Sequence, residues 1–259
     1  MSLLEARNLC KHFGGLVAVD DLDFDIVRGE ILGLIGPNGA GKTTVFNMIS
    51  GVYLPTHGKV VFKGEDITHL KADRVAAKGI ARTFQLTTIY STFTVVQNML
   101  MAHHLHSKVG FLGAFLNTPS ARRKGQDIVQ KSMEILTFMG LDALKNEVAK
   151  NLPHGHQKAL GTAMALAVQP ELLLLDEPVA GMNPEETLTM MNRIGQIRER
   201  GITVLLVEHD MRAVMGLCDR ILVLNYGRKI AEGRPEGIRG NRDVIEAYLG
   251  ESNGGEEDA

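Results

Sequence analysis

An α/β fold is what this sequence predicts, with a largely parallel sheet at its core, antiparallel strands at its N-terminal end and a helical insertion. Three observations carry that reading. The runs Leu172-Leu173-Leu174-Leu175 and Ile202-Thr203-Val204-Leu205-Leu206-Val207 are apolar throughout, as central parallel strands covered on both faces are. A helical pattern lies between them, so strand, helix and strand alternate. From about 86 to 167 the pattern is helical, which marks an insertion in that alternation.

The elements follow in order. Residues 3–10 and 22–27 alternate enough to be strands, with Gly14-Gly15 in a turn between them. Phe13 sits in that turn. Its ring has two readings, core packing or a flat surface for an adenine, and composition alone favours packing. Ile31-Leu32-Gly33-Leu34-Ile35 reads as a buried strand, and Val45-Phe46-Asn47-Met48-Ile49 as the start of a helix. Between them stands Gly36-Pro37-Asn38-Gly39-Ala40-Gly41-Lys42-Thr43-Thr44, which fits G-x-x-x-x-G-K-[ST], the loop that wraps nucleotide phosphates. Its glycines allow successive backbone N–H groups to turn inward, because no Cβ blocks positive φ. The helix N-terminus favours the same anion. Lys42 adds a point charge for the β- and γ-phosphates, and Thr43 offers a hydroxyl to Mg²⁺. The strand and helix on either side make an incidental glycine-rich turn the poorer reading.

Val60-Val61-Phe62 follows as a short strand after the turn at Pro55-Thr56-His57-Gly58. Gly79 to Gln85 reads as a strand ending on a polar residue. In the insertion, Thr94-x-x-Gln97 is a capping-box pattern. Ile128, Met133, Ile135, Leu136 and Met139 mark an amphipathic helix that Gly140 ends. A glycine-containing apolar patch, Val109 to Leu116, fits either a partner contact or local core. Pro153 stands near a helix start, and Leu160, Ala163, Met164 and Ala167 recur at helical spacing beyond it.

Asp176 and Glu177 close the four-leucine strand, at the carboxyl end where α/β sheets place ligands. Asp176 is read as orienting Mg²⁺ through water, and Glu177 as the base that orients an attacking water. Asn183-Pro184-Glu185-Glu186 opens the next helix with a cap, a first-turn proline and acids favoured by the dipole. Leu188, Met191, Ile194 and Ile197 are its expected buried stripe, and Gly201 stops it. The next strand ends in Glu208-His209-Asp210. It is expected beside the Leu172–Leu175 strand, which brings His209 within reach of a γ-phosphate. Ile221 to Leu224 and Arg228 to Ala231 form a closing hairpin around Asn225-Tyr226-Gly227, and Asp243 to Leu249 a short terminal helix. The tail from Glu251 is acidic and expected to be disordered.

Composition narrows the function classes. At 259 residues the chain buries a full core, and a net charge of −2 gives no basic excess for nucleic acid. Two cysteines, Cys10 and Cys218, make neither a disulfide framework nor a metal spacing. No h-region opens the chain and no apolar run reaches the roughly 18 residues of a membrane span. The expectation is a cytoplasmic, soluble protein with any membrane role supplied by a partner.

Taken in order, these motifs resemble an ABC transporter ATPase subunit over nearly the whole chain, from Phe13 to about Gly250. The resemblance implies a P-loop NTPase fold of the ABC type: one domain over 1–250, core 1–85 and 168–250, helical subdomain about 86–167, tail 251–259. It gives Phe13 the adenine-stacking place, Gly36 to Thr44 the Walker A loop, and Gln85 the Q-loop contact to Mg²⁺ and the membrane partner. Leu152-Pro153-His154-Gly155-His156 takes the signature place, acting in trans on the other subunit's nucleotide. Asp176 becomes the Walker B aspartate, Glu177 the catalytic glutamate, Ala180-Gly181-Met182-Asn183 the D-loop, and His209 the switch histidine.

The segments Asp176 to Pro184, Glu208 to Met211 and Val244 to Gly250 further resemble the ATP-binding subunits of branched-chain amino acid importers. Urea and amide importers are close in pattern. The implied cofactors are ATP and Mg²⁺. The implied partners are a second ABC ATPase subunit (a heterodimer, or else a homodimer), integral membrane permeases and, indirectly, a periplasmic solute-binding protein. The implied location is the cytoplasmic face of the inner membrane. Two departures stand out: Pro153 and His156 where L-S-G-G-Q has serine and glutamine, and Asn183 where many D-loops carry aspartate. A soluble ABC switch without a permease is the competing class; one cassette and no heptad run argue against it.

Overall fold

The computed structural model describes residues 1–83, 89–106 and 119–252. Two sheets organise it. The first is antiparallel and contains β1 (Ser2–Phe13), β2 (Leu16–Val27), β4 (His57–Phe62) and β5 (Glu65–Asp66), in the order β2-β1-β4-β5. The second holds β3 (Ile31–Ile35), β6 (Ile80–Arg82), β7 (Leu172–Asp176), β8 (Thr203–Val207), β9 (Arg220–Asn225) and β10 (Arg228–Gly233). Its order is β10-β9-β3-β8-β7-β6, parallel except for β10.

The all-apolar strands follow from two covered faces. Leu173 and Leu175 of β7 join one core cluster, while Leu172 and Leu174 join the other. β3, β8 and β9 divide the same way, because successive side chains point to opposite faces. One cluster packs against the antiparallel sheet and α1 (Lys42–Ile49), whose Val45, Phe46, Met48 and Ile49 are buried. The other packs against α3 (Val95–His106), α4 (Pro119–Phe138), α5 (His154–Leu166) and α6 (Pro184–Glu199). Each buried leucine contributes about 1.5–3 kcal/mol. A short α2 (Ala72–Ala77) precedes β6, and α7 (Met211–Leu217), α8 (Pro235–Arg239) and α9 (Arg242–Ser252) complete the chain.

Local signals act as read. Thr94 Oγ1 accepts from Gln97 N at 3.3 Å and Gln97 Oε1 from Thr94 N at 2.9 Å, opening α3. Asn183 Oδ1 accepts from Glu185 N and Glu186 N, and Glu186 Oε2 from Asn183 N, opening α6. The α3, α4 and α5 helices pack on one another.

Several expectations change. β1 and β2 run to the Gly14-Gly15 turn, so Phe13 ends a strand; its ring is 41% exposed, which removes the core-packing reading. Leu188 is 58% exposed, and the buried line of α6 is Met190, Ile194 and Ile197. A strict three-residue spacing drifts about 60° per step at 100° per residue, so Leu188 and Ile197 face opposite ways. The sixth strand is shorter than 79–85, and Gln85 lies outside the described residues, as does the Val109–Leu116 patch. The last helix takes in Glu251 and Ser252; 253–259 lie outside the described residues. Among the described residues no helix is long and apolar enough to cross a membrane.

Candidate functional site

Parallel register puts the carboxyl ends of β3, β8 and β7 on one edge: Leu34 pairs with Val207, and Val207 with Asp176. The segments that leave this edge carry the sites expected from sequence. The first is the loop after β3. Gly36 has φ +151°, and a Cβ there would meet Leu224 O at 2.1 Å. Gly41 caps α1 at φ +100°, where a Cβ would meet Ala18 O at 2.5 Å. Both positions demand glycine. Ala40 is buried, while Asn38 and Gly39 face solvent. Lys42 Nζ donates to Gly36 O at 2.6 Å and Pro37 O at 2.7 Å, so its charge is held over the mouth of the loop. Thr43 is exposed at the first turn of α1, with Thr44 beside it half-buried.

The second segment follows β7. The Asp176 side chain is 2% exposed and pairs with Arg82 Nη2 at 3.2 Å. Burial pushes its carboxyl above the usual carboxylate range, against the pull of the Arg82 guanidinium. Arg82 also donates to Asn47 Oδ1 at 2.5 Å and Ser50 Oγ at 3.3 Å. One guanidinium thus ties the helix of the phosphate loop to the Asp176 strand. Thr83 Oγ1 accepts from Asp176 N at 3.2 Å.

Glu177 occupies the left-handed region at φ +48°, which costs a non-glycine residue energy and needs surrounding support. Its N–H donates to Val207 O at 2.9 Å, and its carbonyl accepts from Lys158 Nζ at 2.7 Å. The third segment follows β8. His209 Nδ1 lies 3.7 Å from Glu177 Oε1, with side-chain exposures of 65% and 34%. Glu208, between β8 and His209, is 1% exposed. Burial raises its carboxyl, opposed by hydrogen bonds from the Val179 and His209 N–H groups.

The segment expected from sequence to act as a signature, Leu152 to His156, lies at the start of α5, with Leu152 buried and Pro153 at the cap. It abuts the expected D-loop, Ala180 to Asn183, of the same chain: a Cβ on Gly181 would meet His154 Cε1 at 3.2 Å, and one on Gly155 the Glu186 carboxylate at 3.1 Å. Ala180 and Met182 are half-buried. Phe13 stands edge-on to Tyr53 at 5.3 Å, with Lys11 Nζ 5.0 Å from its ring. It lies at the tip of the hairpin whose Ala18 carbonyl touches Gly41.

The structure therefore brings Glu177 and His209 into contact distance and places the Lys42 loop on the same sheet edge. Arg82, Lys158 and the support given by Glu208 were not read from sequence. The signals available were a charged residue inside a buried strand and an acid directly after an apolar run. Among the described residues no group of three or more His, Cys, Asp or Glu side chains is placed to hold a metal. The arrangement can hold an anion on backbone N–H groups, present a carboxylate and an imidazole to it, and offer Thr43 and Asp176 as hard oxygen donors.

Comparison with known proteins places these features in a family. A family model described as ABC transporter matches residues 19–180. A second, described as branched-chain amino acid ATP-binding cassette transporter, matches 228–252. The chain is 43% identical over 251 residues to the high-affinity branched-chain amino acid transport ATP-binding protein LivG of Escherichia coli, covering 96% of this chain and 98% of LivG. It is 42% identical to BraF of Pseudomonas aeruginosa, a protein of the same description, with the same coverage. A crystal structure of the ADP conformation of an ATP-binding cassette superposes with a TM-score of 0.85 at 31% identity, covering 96% of this chain and 99% of that one.

Proposed function

The chain belongs to the ABC transporter ATP-binding family and is an ATPase of that family, and we propose that it powers uptake of branched-chain amino acids. The names of its relatives and the 228–252 match support the solute class. One observation carries the hydrolytic reading: Glu177 Oε1 faces His209 Nδ1 at 3.7 Å on the sheet edge that bears the phosphate loop.

In this reading the N–H groups of Gly36 to Thr44 hold the ATP phosphates, and Lys42 exchanges its two carbonyl partners for the β- and γ-phosphates. Phe13 lies under the adenine. Glu177 accepts a hydrogen bond from the attacking water, and His209 keeps the γ-phosphate and water in line. Mg²⁺ would be held by the Thr43 hydroxyl and, through water, by the Asp176 carboxylate; bound there, it would neutralise charge developing on the phosphates. The segment Leu152 to His156 and the D-loop, Ala180 to Asn183, face a second ABC ATPase subunit. The helices α3, α4 and α5 carry the motion of that pair to membrane permeases at the cytoplasmic face of the inner membrane. A periplasmic solute receptor delivers the amino acid on the other side.

The test is reconstitution of the chain with its permeases and receptor in vesicles. Leucine uptake that requires ATP, and that stops in Glu177→Gln while ATP binding persists, is expected. Normal uptake by Glu177→Gln refutes the hydrolytic assignment; ATP-driven uptake of urea but not leucine refutes the solute.

A further inference from the structure

Glu177 and His209 leave different strands, and something must fix their separation. Glu208 stands between them with both carboxylate oxygens engaged. Its Oε1 accepts from Val179 N at 2.9 Å, two residues past Glu177 and just before the D-loop. Its Oε2 accepts from His209 N at 3.2 Å. The side chain is 1% exposed, where a carboxylate is costly and an apolar residue of similar volume is not. An apolar side chain, however, cannot accept two N–H groups from two loops. Without Glu208, the hydrogen bond from Glu177 N to Val207 O at 2.9 Å still anchors the start of the first loop, but among the described residues no other hydrogen bond ties Val179 to the β8 end.

We propose that Glu208 is a positioning residue for ATP hydrolysis, bridging the Val179 and His209 amides so that the Glu177 carboxylate and the His209 imidazole keep their mutual geometry. This rests on the reading of Glu177 and His209 as the hydrolytic pair. Glu208 touches no reacting atom; it acts through the backbone of two loops.

Glu208→Gln keeps the volume but turns one acceptor into a donor facing an N–H. The expected result is a fall in kcat of about tenfold, the effect of losing one hydrogen bond's worth of alignment. KM and the Kd for ATP stay unchanged. Glu208→Ala, which leaves both N–H groups unmatched, lowers kcat further, by about a hundredfold. Turnover of Glu208→Gln within twofold of wild type overturns the proposal. So does a loss of kcat matched by an equal loss in ATP affinity, because that is a general structural role. Wild-type turnover in Glu177→Gln instead strikes the underlying assignment of the pair, and the proposal with it. Should either Glu208 variant fail to fold, amide hydrogen exchange in the wild-type chain decides. Strong protection of both the Val179 and His209 N–H groups is expected; exchange of Val179 at the rate of an open loop overturns the bridge.

Discussion

The loop from Gly36 to Thr44 and the cluster of Asp176, Glu177, Glu208 and His209 occupy the same sheet edge but are built on opposite plans. The loop is contiguous. It presents backbone N–H groups, and its shape is set by glycines at φ +151°, +74° and +100°. The cluster is distributed. It presents side chains from two strands, held by Arg82 from a third and by Lys158 from α5. A contiguous site answers to local substitution. A distributed one answers to whatever aligns the strands, including residues that touch no ligand.

The sharpest way to separate the two plans is at Lys42 and Arg82. Removing Arg82 as Arg82→Met leaves Asp176 buried without its counter-ion, and loss of one partner of a buried pair costs about 3–5 kcal/mol of stability. Denaturant unfolding measures it; a loss below about 1 kcal/mol would show that the strands need no such tie. Lys42→Ala is expected to act on binding alone. Loss of a charged hydrogen-bond donor weakens ATP affinity by about ten- to a hundredfold, roughly 1.5–3 kcal/mol, with Tm unchanged. Unchanged affinity by calorimetry would remove Lys42 from the phosphate site.

A pH series sharpens the contrast further. Burial raises the Glu208 carboxyl in the folded chain, so the folded state holds its proton more tightly than the unfolded state does. Stability is therefore fullest below the ordinary glutamate range and falls as pH rises through the raised value, then levels. Glu208→Gln lacks that titration. The difference in Tm, wild type minus variant, should shrink as pH rises across this window; a growing difference would mean that the two N–H bonds outweigh burial.

The smallest effect lies away from both sites, on α6. Asn183→Ala removes the cap and costs about 1 kcal/mol, whereas Leu188→Ala, on the exposed side, stays within about 0.5 kcal/mol. Equal losses at the two positions would restore the stripe through Leu188.

How far the sequence could be read depended on how local the signal was. The capping box at Thr94 and the cap at Asn183 span four residues each, and both were legible; that Glu186 closes a box on Asn183 came from the structure. The apolar strands were legible because a residue covered on both faces leaves no polar alternation. Leu188 was misplaced because a three-residue count looks like a helical stripe over two turns and is not one over three. The Arg82–Asp176 pair joins residues 94 positions apart, and no periodicity encodes such a partner.

By itself, then, the chain determined its strands and helices, the glycine loop and the kinds of chemical group that meet a phosphate. Those depend on backbone freedom and on side-chain spacing within a few residues. Only the tertiary structure decided which acid pairs with an arginine and which one bridges two loops. Strand order and register bring those groups to one edge, and strand order is a property of the packed sheet, not of any segment in it.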